Sequence, residues 1–160
     1  MTIAVGDTLP AAEMQRKTDA GIEKVTTDDL FAGKKVALFA LPGAFTPTCS
    51  AKHLPGFMDK ADELKAKGID AIVCLSVNDA HVMKAWADDQ KVGDVIDLIA
   101  DGSLNFTNAV GLVNDASAFG MGLRSKRYSM IVEDGVVRTL NVEAPGGFDV
   151  STAEAMLEQL

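Results

Sequence analysis

Residues 36–50 read VALFALPGAFTPTCS. The first six residues form an apolar run that predicts a buried strand, and Pro42 ends it. A short loop of proline, glycine and threonine follows, and a helical pattern begins at Cys49. A thiol in the first turn of a helix meets unpaired backbone N–H groups and the positive end of the helix dipole, and both favour the thiolate. Because the thiolate is the reactive form of cysteine, this stretch predicts a nucleophilic cysteine between a strand and a helix.

The rest of the chain alternates apolar strand-like runs with amphipathic helical patterns. Asp134-Gly135 separates the last two runs and predicts a hairpin, Pro55 predicts a helix kink, and Ser151 predicts a helix cap. Strands are predicted at 36–41, 69–77, 95–100, 128–133 and 136–140, and helices near 49–68, 79–86, 104–110 and 152–160. These elements predict one domain over residues 1–160, an α/β fold with a mixed central β-sheet flanked by helices.

The composition narrows the classes of function. The chain has 160 residues and a net charge of -8, from 15 basic and 23 acidic residues. This acidic balance argues against non-specific binding to nucleic acid or to an anionic membrane. Two cysteines make no disulfide framework, and the N-terminus lacks a basic segment followed by an apolar core. We therefore expect a cytoplasmic protein, in a reducing environment where a reactive thiol is regenerated.

The spacing Pro42-x-x-x-Thr46-x-x-Cys49, within PGAFTPTCS, resembles the active-site motif of the peroxiredoxins. From about residue 3 to residue 160 the chain is similar to their type II or fifth-class subfamily, which includes plant type II and many bacterial enzymes. The similar flanking segments are SAKHLPGF, CLSVNDAHVMKAW, LIADGSLNFTNAVGL and RSKRYSMIVEDGVV.

This resemblance implies a thioredoxin-like fold, a homodimer and the reduction of peroxides by a cysteine. Cys49 matches the peroxidatic position, Pro42 and Thr46 match their motif positions, and Arg127 matches the active-site arginine. The expected intermediate is a sulfenic acid, which glutathione with glutaredoxin, or thioredoxin, would reduce. No metal or flavin cofactor is expected, since a polarised O–O bond accepts two electrons directly from sulfur.

The spacing of the other polar residues leaves several roles open. Thr46 lies one helical turn before Cys49, so its hydroxyl is expected to donate a hydrogen bond to the sulfur. His53 follows Cys49 at i+4 and is either a base, a residue near the pocket or a packed side chain. Cys74, in an apolar strand, is either a core residue or a resolving cysteine, and plant type II relatives carry a cysteine there. Arg124 is expected at the surface or behind the site.

Phe45, Leu112 and Phe119 are either core residues or an apolar rim around the thiol pocket, and such a rim would admit organic hydroperoxides. Two alternative functions stay open. A thioredoxin-type disulfide oxidoreductase would need a second thiol where Thr46 stands, and a redox sensor or holdase would bind a partner when oxidised. A zinc site of Cys49, His53, Cys74 and His81 is disfavoured because the spacing fits no compact zinc motif.

Overall fold

The computed structural model describes residues 2–160 and shows a mixed β-sheet with helices packed on both faces. Its strands are β1 (Glu13–Thr18), β2 (Gly21–Thr26), β3 (Lys35–Leu41), β4 (Ala71–Ser76), β5 (Asp97–Ala100), β6 (Val113–Asp115), β7 (Leu123–Ser125), β8 (Tyr128–Glu133) and β9 (Val136–Val142). Its helices are α1 (Thr27–Phe31), α2 (Leu54–Asp59), α3 (Ala61–Ala66), α4 (Ala80–Asp89), α5 (Asn105–Val110) and α6 (Ala153–Glu158). A π turn (Cys49–His53), named here the π segment, precedes α2, and a 3₁₀ turn (Ser117–Phe119) lies between β6 and β7.

Within residues 2–160 the main sheet has seven strands, in the order β2-β1-β5-β4-β3-β8-β9. The three middle strands β5, β4 and β3 run parallel, and the flanking strands β1 and β8 pair antiparallel to them. Val36 to Leu41 are all buried, as a parallel strand covered on both faces requires. The predicted α/β class with a mixed sheet flanked by helices is confirmed.

Alternate residues of β3 point into two separate cores. Ala37, Phe39 and Leu41 join a cluster that contains Cys49 and is covered by α2, α3, α4 and α6. The other three residues of the apolar run join a second cluster, which includes residues of α1 and α5. Burying a side chain the size of Phe39 contributes about 2 to 3 kcal/mol, so β3 anchors both layers. Cys49 therefore lies on one defined face of the sheet.

The local signals in the sequence correspond to real helix and hairpin boundaries. Asp79 Oδ1 accepts a hydrogen bond from Val82 N at 2.9 Å and caps α4. Asp134 and Gly135 both have positive φ, 48° and 78°, as a tight hairpin turn requires. The predicted Ser151 cap is wrong by one residue, because Thr152 caps α6. The Ser151 hydroxyl instead donates to Glu143 Oε2 at 2.7 Å and is not free to cap the helix.

The β1–β2 hairpin and the small β6–β7 sheet have no counterpart among the elements predicted from the sequence. The two hairpin strands read EMQRKT and GIEKVT and are largely exposed, with Met14 and Val25 as their fully buried residues. Such polar edge strands carry too little apolar alternation to be recognised. Among residues 2–160, no helix combines the length and the apolar character needed to cross a bilayer.

Candidate active site

Cys49 opens the π segment, at the beginning of the helix that follows β3. Residues 47–48 form one short stretch of α-helix before it, and Leu54 N donates to the Cys49 carbonyl, a bond one residue wider than in an α-helix. Pro55 follows directly and has no N–H to donate. The irregularity expected at Pro55 therefore lies in the turn before it. The thiol is fully buried, at 0% exposure.

Arg127 brings a positive charge to this sulfur from the other side of the site. Ala40 pairs with Tyr128, so Arg127 stands level with the end of β3, where the loop to Cys49 begins. Its Nη2 donates a hydrogen bond to Cys49 Sγ at 3.0 Å. The guanidinium is a charged donor, and hydrogen bonds from charged donors are stronger than those between neutral groups.

Pro42 and Thr46 shape the loop that leads to the thiol. Pro42 follows β3 and lines a cavity of about 210 Å³, together with Thr48, Arg127 and residues of the loop 143–147. The Thr46 hydroxyl donates its proton to the Gly43 carbonyl at 2.7 Å. The predicted hydrogen bond from this hydroxyl to the sulfur is therefore wrong, because a hydroxyl has one proton to donate. The oxygen of Thr46 keeps its capacity to accept.

His53 lies at the end of the π segment and is fully buried. Its Nε2 is 2.9 Å from the Ser151 carbonyl, and its Nδ1 is 2.8 Å from Arg127 Nη1. A carbonyl only accepts and a guanidinium only donates, so the ring is the neutral tautomer with its proton on Nε2. Burial, with the charge of Arg127, lowers the pKa of His53 from 6.5 to about 3. The Nδ1 lone pair is already engaged, which argues against the base role left open above.

Aromatic rings enclose the histidine and the arginine. The rings of Phe39 and Phe57 stack at 4.1 Å, and the ring of Phe39 lies 4.9 Å from that of His53. Phe148 presents an edge-on contact to His53 at 5.2 Å, and the Arg127 guanidinium lies 5.7 Å from the Phe148 centroid. Phe148 was not identified from the sequence, since a glycine-rich loop gives no periodic signal, and Ser151 was predicted as a helix cap and not as a site residue.

Glu143 fixes the segment that brings Ser151 to the histidine. Its Oε2 accepts three hydrogen bonds, from Asp149 N, Ser151 N and Ser151 Oγ, at 2.8, 2.8 and 2.7 Å. We call residues 143–151 the strap. The strap closes one side of the site and turns the Ser151 carbonyl toward His53. Its anchoring residue, Glu143, was also missed by the sequence analysis.

Cys74 lies on the same face of the sheet as Cys49. It is fully buried in β4 and is paired in register with Phe39 of β3. Burial, with the nearby sulfur of Cys49, raises the pKa of the Cys74 thiol. In this conformation Cys74 is therefore a weak nucleophile, packed in the core.

The predicted apolar rim divides into exposed and buried residues. Phe119 is 84% exposed, and Phe45 is 53% exposed with a left-handed backbone of φ 64°. Leu112 is 1% exposed and packs in the second core, on the face of the sheet opposite to Cys49. Of the two roles left open for Leu112, the structure therefore favours core packing over the rim.

Arg124 holds two loops beside the site. Its Nη1 donates to the Val77 carbonyl at 3.1 Å and its Nε to the Met121 carbonyl at 3.0 Å. Over residues 2–160, no three histidine, cysteine or acidic side chains are grouped so that they could hold a metal ion.

Comparisons with known proteins agree with this geometry. The family model described as Redoxin matches residues 4–157. Peroxiredoxin-2E-2, chloroplastic, of Oryza sativa subsp. japonica is 52% identical over 99% of this chain and 73% of its own length. Peroxiredoxin-2B of Arabidopsis thaliana is 45% identical over 99% of this chain and 98% of its own. A crystal structure of reduced Prx3 from Vibrio vulnificus in complex with H2O2 is 55% identical, with a TM-score of 0.95 over 99% of both chains.

The similarity extends over the whole sheet and over the loop that carries the thiol, and it confirms the thioredoxin-like fold. The resemblance noted from PGAFTPTCS and its flanking segments is confirmed as well. The chain belongs to the redoxin family and, within it, to the type II peroxiredoxins, which makes it a thiol peroxidase.

Proposed function

We propose that Cys49 is the peroxidatic cysteine and that it reduces hydrogen peroxide and small alkyl hydroperoxides. The observation that carries this proposal is the hydrogen bond of 3.0 Å from Arg127 Nη2 to Cys49 Sγ, made at the buried start of a helix. The 210 Å³ cavity beside Arg127 and Pro42 offers room for a peroxide of this size.

The reaction begins when the Cys49 thiolate attacks the OH-bearing oxygen of the peroxide, in line with the O–O bond. The S–O bond forms as the O–O bond breaks, and the electron pair leaves on the distal oxygen as hydroxide or alkoxide. That oxygen takes up a proton and departs as water or alcohol. Sulfur is oxidised to a sulfenic acid and the peroxide is reduced by two electrons.

Arg127 is the residue that stabilises the developing negative charge. Its guanidinium already contacts the sulfur, so the charge that moves to the leaving oxygen stays beside a fixed cation. Backbone N–H groups at the start of the helix add to the positive field. Thr46 and Pro42 shape the loop, and the Thr46 oxygen is available to accept a hydrogen bond from the peroxide OH.

The cycle closes with two thiols. The first condenses with the sulfenic acid to a mixed disulfide and releases water, and the second releases the Cys49 thiol and leaves with an oxidised disulfide. We infer that glutathione with glutaredoxin, or thioredoxin, supplies these thiols, in the cytoplasm. Cys74 would act as a resolving cysteine only after local opening, because it is buried in β4.

The protein is further inferred to work as a homodimer. Phe45 and Phe119 expose large apolar surfaces beside the active-site loops, as residues of an interface do. A disulfide oxidoreductase is disfavoured, since Thr46 stands where a C-x-x-C motif requires a cysteine. A redox sensor or holdase role would draw on the same oxidised Cys49.

Replacing each cysteine in turn tests the proposal. Cys49→Ser removes the nucleophile and should abolish peroxide consumption, while Cys74→Ser keeps the nucleophile and should retain the first oxidation of Cys49 by peroxide. Consumption of peroxide by Cys49→Ser at the parent rate would refute the assignment. Steady-state assays with glutaredoxin/glutathione and with thioredoxin identify the donor. Equal rates for the parent and Cys74→Ser would assign Cys74 to packing.

A further inference from the structure

We propose that His53 is a positioning residue for the peroxidase reaction, holding the Arg127 guanidinium against Cys49 through a chain of hydrogen bonds that starts at the Ser151 carbonyl. The inference rests on the proposed function, because it concerns the same thiol. It adds to that function a residue that touches neither the sulfur nor the peroxide. It also makes the strap (residues 143–151) part of the active site.

The chain has three links that all lie within hydrogen-bonding distance. His53 Nε2 donates to Ser151 O at 2.9 Å, Arg127 Nη1 donates to His53 Nδ1 at 2.8 Å, and Arg127 Nη2 donates to Cys49 Sγ at 3.0 Å. The two amino groups of one guanidinium thus bind two different partners. Because the guanidinium is planar and rigid, fixing Nη1 on the histidine fixes the direction in which Nη2 points.

The groups around the imidazole allow it to form both hydrogen bonds in only one tautomer. The Nε2–H tautomer is required at both ends, since the Ser151 carbonyl only accepts and Arg127 only donates. The charged groups that face the ring are Arg127, from the start of β8, and Glu143, from the strap. The packed rings of Phe39, Phe57 and Phe148 hold the imidazole plane in place.

Without an acceptor at position 53, Nη1 of the half-buried Arg127 would lose its partner, and the guanidinium would turn to find another. Nη2 would then leave Cys49 Sγ, and the thiolate would lose its charge-assisted hydrogen bond. A carboxamide has an acceptor and a donor about as far apart as the two imidazole nitrogens. Glutamine at position 53 should therefore replace both hydrogen bonds, whereas leucine replaces the volume alone.

The experiment compares His53→Leu, His53→Gln and, as a matched control, His81→Leu, which changes the exposed histidine of α4. Two rates are measured from pH 5 to pH 9. One is alkylation of Cys49 by iodoacetamide, located on its peptide by mass spectrometry, and the other is oxidation by hydrogen peroxide. Alkylation needs no peroxide chemistry, so a parent that alkylates but consumes no peroxide would reject the proposed function and leave the test of His53 intact.

We expect His53→Leu to lower the alkylation rate at pH 6 by about tenfold and to move the midpoint of its pH profile upward by about one unit, with the rates converging at pH 9. The rate of oxidation by hydrogen peroxide should fall in parallel in His53→Leu. Both rates should stay within about threefold of the parent's in His53→Gln. In His81→Leu both rates should equal the parent's. An unshifted profile for a folded His53→Leu would overturn the proposal. So would equal losses in His53→Leu and His53→Gln.

A second measurement needs no variant and covers the case in which His53→Leu does not fold. In parent protein labelled with ¹⁵N-histidine, two-bond correlation spectra report which ring nitrogen carries the proton. The proposal requires the neutral Nε2–H tautomer for His53 at pH 7, unchanged at pH 5.5, with His81 as an internal reference. A proton on Nδ1, or a doubly protonated His53 ring at pH 5.5, would overturn it.

Discussion

Cys49 and Arg127 meet where the thiol is fully buried and the guanidinium is half-buried. In such surroundings a hydrogen bond between charged groups is stronger than at the surface, and its direction is constrained by packing. Arg127 has two tasks at once, since Nη1 contacts His53 and Nη2 contacts the sulfur. A simple positive charge is therefore not an adequate replacement for the fork of the guanidinium.

Replacing Arg127 by lysine should slow the oxidation of Cys49 by hydrogen peroxide by about 10- to 100-fold, which corresponds to about 1.4 to 2.8 kcal/mol. The ammonium keeps the charge but presents a single nitrogen, which cannot hold the planar geometry between His53 and Cys49. Stopped-flow kinetics measure the rate. Arg138→Lys, at an exposed position of β9, is the control and should match the parent. Equal rates for Arg127→Lys and the parent would contradict a role for the guanidinium shape.

The low pKa of His53 predicts a loss of stability in mild acid. The folded-state value of about 3 lies below the ordinary value of 6.5, so the unfolded chain takes up the proton first as the pH falls. Stability present above pH 6.5 is lost progressively down to pH 3, with about 2 kcal/mol lost between pH 7 and pH 5. Urea unfolding of the parent and of His53→Gln at these pH values measures the difference. The variant should lose about 2 kcal/mol less than the parent.

The control for this titration is His81→Gln, which should keep the parent's pH dependence, because His81 is exposed on α4. Arg127 and Glu143, the charged groups that face His53, are retained in all three proteins. If parent and His53→Gln lose the same free energy between pH 7 and pH 5, His53 is not held neutral.

At the scale of elements, the π segment links the thiol to the rest of its core. Trp86, on the buried face of α4, donates from Nε1 to Ser50 Oγ at 3.0 Å, and Ser50 is the residue after Cys49. The wide turn that starts at Cys49 is therefore tied to the neighbouring helix by a side-chain hydrogen bond. The helical character and apolar spacing were predictable from Leu54, Phe57 and Leu64, but the single helix predicted near 49–68 is divided into the π segment, α2 and α3. The π turn was not predictable, because it depends on this long-range contact as well as on Pro55.

Two serine-to-alanine variants test the energetic value of this link. Ser50→Ala should lower the free energy of unfolding by about 1 to 2 kcal/mol, since the indole N–H of a fully buried tryptophan loses its acceptor. Ser129→Ala, the matched variant in β8, should be neutral or stabilising, because within residues 2–160 its buried hydroxyl has no hydrogen-bond partner. Urea denaturation measures both. A Ser129→Ala loss as large as that of Ser50→Ala would contradict the assigned bonding.

At the scale of the whole molecule, the site forms where three distant stretches of the chain converge, the first of which contains both the end of β3 and the π segment. The end of β3, the π segment, the start of β8 and the strap each supply one wall. The motif around Cys49 is local, so sequence spacing identified it. Arg127 lies 78 residues away and was recognised through family resemblance alone. The contact of Ser151 with His53 left no signal in the sequence, because it is made by a carbonyl, which every residue has.

The exposed aromatic residues beside this convergence point give the last prediction. A side-chain carbon at Gly43 would lie 3.5 Å from Met121 Cε, so the loop of Phe45 contacts the loop that follows Phe119. Two large rings thus stand exposed on adjoining loops, and water disfavours such a surface unless a partner covers it. We expect Phe119→Glu to raise the dissociation constant of the proposed homodimer by at least tenfold, about 1.4 kcal/mol or more.

Sedimentation velocity across a range of protein concentrations measures this shift. Ile22→Glu is the matched control, because Ile22 is also exposed, at 46%, but lies on the edge strand β2, away from the active-site loops. The Ile22→Glu dimer should dissociate over the same range of protein concentration as the parent dimer. A parent that sediments as a monomer at every concentration, or an Ile22→Glu variant that dissociates as readily as Phe119→Glu, would contradict an interface at these rings. Arg127 and Cys49 belong to the same chain, so their contact does not depend on a partner. We therefore expect monomeric Phe119→Glu to keep it.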